Sequence, residues 1–143
     1  MQLRIDPLRG FRFLVEIDAL TVGGFSKVKG LTREVRLETY REGGVNDYEH
    51  KLMTQVGYGA VTLERGLALP ELWIWAQDAA DGEATRRTVR ILLMNETGIP
   101  TWAWQLDSAL PAKWSVSDLD AASSQTTIES LEIAHHGLRR ATA

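Results

Sequence analysis

The stretch "FRFLVEID", residues 11–18, has the clearest β-strand pattern in the chain. Phe11, Phe13, Val15 and Ile17 occupy every second position, and the positions between them are mostly charged. Because successive side chains of a strand point to opposite faces, this alternation separates the apolar residues from the charges. The stretch therefore predicts a strand with one buried and one exposed face.

Most of the chain beyond this stretch consists of similar short runs separated by turn-forming residues. Residues 23–31 are rich in glycine and lack alternation, which predicts a bent or bulged connection. Residues 125–138 fit a helix at Ile128, Leu131 and His135, but their threonines and their alternation favour a strand. The other predicted strands are 32–40, 58–66, two strands within 86–109 that join across Asn95 to Gly98, and 112–119.

Residues 69–82 change from the strand period to the helical period. Pro70 suits the first turn of a helix, and Gly82 suits the position after its last turn. The apolar residues at helical spacing are Leu69, Leu72, Trp73, Ala76 and Ala80. About seven strands and one helix predict a mainly β fold, a small antiparallel sandwich or barrel with the helix packed on it.

The bulk composition limits the function classes. The 143 residues predict a single domain, 1–143, and no linker-like tract divides them. The net charge is −3 and the basic residues are scattered, which argues against a nucleic-acid-binding surface. Cysteine is absent, which excludes disulfides and thiolate metal sites. No window has the roughly 20 apolar residues of a spanning helix, so we expect a soluble chain without a membrane anchor.

No residue pattern predicts catalysis, a cofactor or a metal. Glu132 and His135 have the spacing of a helical di-iron motif, but only one copy exists and it lies in a predicted strand, so we interpret it as a solvated strand end. Asp118 and Asp120 lack the other ligands of a cation loop and predict a capped turn. His50 has no nucleophile motif near it. We therefore expect a non-enzymatic protein.

Five tryptophans raise the alternative of an aromatic ligand platform. Trp102 and Trp104 share one face of a predicted strand, and Trp73 fits the apolar face of the helix. Large aromatic side chains usually fill cores, so we favour core packing. A small β-barrel ligand-binding domain that uses Trp102, Trp104 and His135 remains the alternative from another function class.

The connection from Tyr40 to Tyr58 is much longer than a strand turn requires. Its apolar residues argue against a disordered loop, and its glycines allow close approach to another chain. From the residues alone, the segment is either an arm that binds elsewhere or an Ω-type loop packed on its own barrel.

Four segments in order resemble one family: "DPLRGFRFLVEIDALTVGGFSKVKGL" (6–31), "ETYREGGVNDYEHKL" (38–52), "VTLERGLALPELWIWAQD" (61–78) and "AKWSVSDLDAASSQTTIESLEIAHHGL" (112–138). They are similar to the tail-tube proteins of contractile phages and of extracellular contractile injection systems. The resemblance implies a fold like that of haemolysin-coregulated protein, with two packed antiparallel sheets forming a small β-barrel, one flanking α-helix and an extended inter-subunit hairpin or loop.

The resemblance also implies partners and a place of action. Six copies would form a ring, and rings would stack into a tube inside a contractile sheath, attached to baseplate and spike proteins, with cargo effector or DNA in the lumen. The chain would be made in the cytoplasm and assembled into a phage tail or an extracellular tail-like particle. The alternative within that particle is a baseplate-proximal tube initiator of the same fold.

The resemblance assigns the inter-subunit contacts to the middle of the long connection. The implied contact residues are Tyr40, Arg41, Glu42, Gly43, Gly44, Val45, Asn46, Asp47, Tyr48, Glu49, His50 and Lys51.

Overall fold

The computed structural model describes residues 8, 10–40, 50–83, 85–116 and 128–141. These residues form nine strands and one helix. In chain order the elements are β1 (Phe13–Ile17), β2 (Leu20–Lys29), β3 (Arg33–Tyr40), β4 (His50–Tyr58), β5 (Val61–Ala68), α1 (Pro70–Ala80), β6 (Arg87–Met94), β7 (Pro100–Val116), β8 (Ile128–Ala134) and β9 (Gly137–Ala141).

Six strands close into an antiparallel barrel in the order β6-β1-β2-β5-β8-β7, and β7 pairs back with β6. The 17-residue β7 makes the closure, because its first part pairs with β6 and its last part with β8. Strand β9 adds to the outer edge of the first part of β7. Strands β3 and β4 form a separate two-stranded sheet. The predicted mainly β barrel with one flanking helix is therefore confirmed.

The alternating apolar residues of the barrel strands form its core. Val15 and Ile17 of β1 are buried, as residues 11–18 predict, and they pack with residues of every other barrel strand. Each fully buried aliphatic side chain contributes about 1.5–3 kcal/mol to folding. The largest fully buried side chains include Phe25, Leu63, Ile91, Leu106 and Leu131.

The prediction of a bent connection at residues 23–31 is wrong, because β2 continues to Lys29. Residues Gly23 and Gly24 remove the alternation from the sequence, yet they pair with both β1 and β5, and the predicted irregularity is a register shift with β1 directly beside Gly23. Strand β5 also continues past Gly66, which was predicted to end it. A Cβ atom at Gly66 would collide with the carbonyl oxygen of Gly24 and with the Phe25 ring, so the glycines allow close packing of adjacent strands.

The prediction of a strand at residues 112–119 is confirmed for 112–116, but its separate start after Pro111 is wrong, and residues 117–119 lie outside the described residues. Strand β7 runs through Pro111 to Val116, and its register with β8 shifts between Pro111 and Lys113. A β-bulge tolerates a residue that cannot donate a backbone hydrogen bond, which explains why proline does not end the strand. Residues 125–138 form β8 and the start of β9 over their described part, as the preferred strand prediction requires.

The predicted helix is confirmed as α1, with Pro70 in its first turn and Gly82 at a φ of 76° after its end. Its most buried residues are Leu72, Trp75 and Ala76, so the buried face is rotated from the predicted one, which included Trp73. The Trp75 indole nitrogen donates a hydrogen bond of 2.9 Å to the carbonyl oxygen of Thr85. Within the described residues, α1 lacks the length and apolar character of a membrane-spanning helix.

Candidate interaction surface

The long connection is built around an antiparallel hairpin of β3 and β4. Eight backbone pairs join the strands, from Arg33 opposite Tyr58 to Tyr40 opposite His50, with a register shift after Arg36. Residues 50–58 therefore form a strand. The sequence alone did not decide whether they belong to an arm or to an Ω-type loop. Among the described elements, β3 and β4 make extensive contacts only with each other.

Three of the twelve predicted contact residues lie at the outer end of this hairpin. Tyr40 and His50 form the last backbone pair, and Lys51 is opposite Thr39. The contact assignment itself stays a prediction. The remaining nine lie outside the described residues: Arg41, Glu42, Gly43, Gly44, Val45, Asn46, Asp47, Tyr48 and Glu49.

The hairpin has an apolar face and a charged face. Val35 and Leu37 are 41% and 56% exposed and lie two residues apart on one face of β3. The opposite face carries Glu34, Arg36 and Glu38, and the Arg36 guanidinium lies 3.4 Å from the Gln55 side-chain oxygen. A two-stranded sheet with exposed apolar residues is marginally stable alone, so this face suits burial against another surface.

The base of the hairpin packs against a buried histidine. The rings of Tyr58 and His135 lie 5.4 Å apart, and His135 is 6% exposed. His135 Nδ1 lies 3.0 Å from the carbonyl oxygen of Gly137, and since a carbonyl only accepts, Nδ1 carries the proton. His135 Nε2 is buried without a hydrogen-bond partner among the described residues. The interpretation of His135 as part of a solvated strand end is therefore wrong.

The spacing of Glu132 and His135 does not make a metal site. Glu132 lies within β8 and His135 directly follows that strand, where residues three apart point to opposite faces. No cluster of three potential metal ligands occurs among the residues that the structure describes. Asp118 and Asp120 lie outside those residues.

A groove that the sequence did not reveal runs between α1 and the β1–β2 turn. Its volume is about 250 Å³, and its apolar rim includes Leu20 and Ile74, which are 64% and 61% exposed. Asp18 and Ala19 form the turn at φ values of 52° and 65°, a conformation that costs a non-glycine residue about 1 kcal/mol and that places Leu20 at the rim. The groove is lined by Ile17, Asp18, Leu20, Val22, Glu71, Ile74, Trp75, Asp78 and Arg87.

The groove carries more acidic than basic groups. Arg87 donates a 2.8 Å hydrogen bond to Asp18 and neutralises it. Glu71 and Asp78, on the helix, form no ion pair with any described residue. The groove therefore suits a partner that is apolar and carries a positive charge.

The tryptophans do not form a ligand platform with His135. Trp102 and Trp104 lie 5.9 Å apart, but the Arg140 guanidinium covers the Trp102 ring at 3.6 Å. Arg140 pairs with Trp104 at one end of β9, whereas His135 precedes the other end. The prediction that the tryptophans pack in the core is confirmed for Trp75. It is wrong for Trp102, which is partly exposed. Trp114 is also partly exposed and contacts Trp73 edge to face at 5.3 Å.

Comparison with known proteins identifies relatives of the whole chain. The family model of the T4-like virus tail tube protein gp19 matches residues 9–139. A search of curated protein sequences gave no significant match. A chain in the cryo-EM structure of the anti-feeding prophage baseplate is 32% identical, with a TM-score of 0.68, over 99% of this chain and 97% of that chain.

Two further structures share the fold. A chain in the sheath–tube complex of the extracellular contractile injection system PVC, in its extended state, is 22% identical with a TM-score of 0.69, over 96% of this chain and 93% of that chain. Hcp1 from Flavobacterium johnsoniae is 12% identical with a TM-score of 0.50, over 91% of this chain and 94% of that chain.

Proposed function

The chain belongs to the family of T4-like virus tail tube proteins, and on this premise we propose that six copies close into a ring and that rings stack into the tube of a contractile particle. The family is structural, and the chain is a tube subunit. The assembling unit is the whole chain, 1–143, acting as one domain. Its role requires shape and self-association and no catalytic group.

The observation that carries this proposal is the hairpin. A closed six-stranded barrel already satisfies its own backbone and buries its own core. The chain nevertheless adds a two-stranded arm, β3–β4, with Val35 and Leu37 exposed on one face. Beyond the contact of Tyr58 with His135 at its base, the arm makes no extensive contact with the described barrel elements, so contacts between copies explain its apolar face. We assign Tyr40 to Lys51 to the same contacts.

An open sheet edge supports the ring. Strand β9 pairs with β7 on one side, and no described strand covers its other side. Exposed edges are sites of strand pairing between chains, and a closed ring covers them. Many such contacts, each repeated at every copy, hold a tube together even where the single contact is weak.

Membership in the tail tube family also suggests partners for this chain. The relatives come from structures that contain a sheath, a baseplate or a tube-terminating cap. We propose that this chain likewise binds a sheath on the outside of its tube and a baseplate and spike at one end, and that cargo effector or DNA passes through the lumen. The protein is made in the cytoplasm and becomes part of a phage tail or an extracellular particle.

A second candidate is the baseplate-proximal tube subunit. It is favoured by the relative of 32% identity, which belongs to a baseplate structure, whereas the chain in the PVC sheath–tube complex is 22% identical. Quantitative mass spectrometry of purified particles separates the two. A main tube subunit occurs in many copies for each baseplate protein, and an initiator occurs in a number that fits one ring.

Electron microscopy of the purified protein tests the proposed function. The protein is imaged alone and together with the sheath and baseplate proteins of the same particle. We expect rings or tubes of uniform diameter in at least the complete mixture. A strictly monomeric population in every mixture, at high protein concentration, would overturn the assignment.

A further inference from the structure

We propose that the groove between α1 and the β1–β2 turn of one copy binds the apolar face of the β3–β4 hairpin of another copy. Val35 and Leu37 then pack against Leu20 and Ile74. This inference rests on the proposed function, because it requires copies of the chain to associate, and it names the surface that receives the hairpin.

The hairpin and the groove lie at opposite ends of the barrel. The hairpin leaves the barrel after Lys29, at the end of β2, and returns to it at Val61. The groove includes Leu20, at the start of the same strand. A strand of ten residues is about 30 Å long, so the base of the hairpin lies far from that copy's own groove.

This separation gives the subunit two different ends. When copies stack end to end in one orientation, the hairpin of each copy points toward the groove end of the next. A contact between two different surfaces is heterologous, and where it repeats by translation along one axis it stays open and can continue from ring to ring. Head-to-tail docking of this kind builds a tube from rings.

Both surfaces have matching chemistry. Leu20 and Ile74 flank the groove, and Val35 and Leu37 present a similar number of exposed aliphatic groups. Each pair would lose exposed apolar area on contact, which is favourable in proportion to that area. Among the described elements the hairpin strands make extensive contacts only with each other, so Val35 and Leu37 stay exposed within their own copy.

The charges are complementary as well. Arg33 is two residues before Val35 and therefore lies on the same face of the hairpin, where it is exposed. It forms no ion pair with any residue that the structure describes, and the same holds for Glu71 and Asp78 in the groove. When the apolar residues dock, Arg33 supplies a positive charge to this acidic groove. The pairing of Arg33 with the acidic groups of the groove fixes the register of the contact.

Disulfide mapping tests the docking directly because the chain has no cysteine of its own. Leu37→Cys and Ile74→Cys copies are produced separately, mixed in equal amounts with the sheath and baseplate proteins, assembled and oxidised. A disulfide between the two variants can only join different copies. Both positions are more than half exposed, so neither change disturbs the core.

The matched control pairs Leu37→Cys with Ile99→Cys. Ile99 is a comparably exposed aliphatic residue in the β6–β7 turn, and the eight residues of β6 place it about 25 Å from the groove residue Arg87. We expect at least about tenfold more crosslinked dimer from the groove pair, because a disulfide requires Cα atoms within about 7 Å. Tubes that assemble but give no excess over the control overturn the docking and leave the tube function standing.

A charge exchange gives a second measurement. We expect Arg33→Glu to reduce the yield of assembled tubes, and we expect Glu71→Arg in the same chain to restore part of that yield. Failure of the wild-type mixture to assemble would overturn both the docking and the proposed function. Normal assembly of the Arg33→Glu variant would overturn the role of Arg33 in the docking alone.

Discussion

The ring of Tyr58 lies 5.4 Å from the ring of His135, tilted by 56°. Tyr58 is the last residue of β4 and His135 directly follows β8, so this contact joins the hairpin base to the barrel. The His135 ring is also held by the hydrogen bond of Nδ1 to the Gly137 carbonyl oxygen. The hairpin therefore starts from a fixed point, although its strands extend away from the barrel.

Loss of this contact is expected to destabilise the subunit. His135→Ala removes the buried ring and its hydrogen bond, and we expect a loss of about 1–3 kcal/mol in the free energy of unfolding, measured by urea denaturation. His136→Ala is the matched control, because the His136 side chain is exposed, and its effect should stay within about 0.5 kcal/mol. Equal effects of the two variants would contradict the structural role of His135.

Gly66 is expected to tolerate no side chain. A Cβ atom there would meet the Gly24 carbonyl oxygen and the Phe25 ring, and the backbone contact cannot move without separating β2 from β5. We expect Gly66→Ala to lower the free energy of unfolding by more than about 2 kcal/mol, or to prevent recovery of folded protein. Gly10→Ala is the control, because nothing lies within 4 Å of its Cβ position. A stable Gly66→Ala variant would show that these strands are not so closely packed.

The hairpin is expected to serve assembly and not monomer stability. Deletion of residues 43–48 should leave the circular dichroism spectrum and the melting temperature of the subunit nearly unchanged, and it should abolish ring stacking in electron micrographs. Leu37→Asp should act in the same direction, whereas Ile99→Asp, at a comparably exposed site outside the hairpin, should assemble normally. Global unfolding of the deletion variant would place these residues in the core of the monomer.

The ion pair of Lys29 and Glu64 predicts a pH dependence. The hydrogen bond from Lys29, at 2.6 Å, lowers the pKa of the Glu64 carboxyl. A carboxyl with a lowered pKa in the folded state adds stability above its unfolded pKa, about 4.3, and loses it as the pH falls through the folded value. We expect Lys29→Met to be less stable than the wild type at neutral pH, with a difference that disappears in acid.

The control for this prediction is Lys113→Met, because Lys113 is exposed and has no ion pair with a described residue. Its stability relative to the wild type should vary less with pH over the same range. Urea denaturation at a series of pH values measures both differences. A Lys29→Met difference that grows on acidification would have the wrong sign and would contradict the assignment.

Local patterns predicted the elements that have regular periods. Residues 11–18 alternate because β1 has one face in the core, and Pro70 and Gly82 mark the ends of α1 because helix ends have specific backbone needs. The glycines of β2 and Pro111 of β7 led to wrong strand boundaries, since these residues usually interrupt strands. Here close strand packing and a β-bulge accommodate them.

The groove could not be predicted from the sequence. Leu20 follows a turn and Ile74 lies on the exposed side of α1, and each resembles an isolated surface residue. Only the packing of α1 beside the start of β2 brings them to one rim. The sequence does contain one indication of such a surface, the apolar residues Val35 and Leu37 of β3. An apolar strand face without a partner implies a complementary surface elsewhere.

The most direct test of the account is a cryo-EM map of the assembled tube at a resolution that traces the main chain. We predict that the β3–β4 hairpin of each copy crosses to a different copy. Leu37 of the first copy then lies next to the groove between α1 and the β1–β2 turn of the second copy. A map in which every hairpin lies against its own barrel, with no contact to a neighbouring copy, would contradict the account.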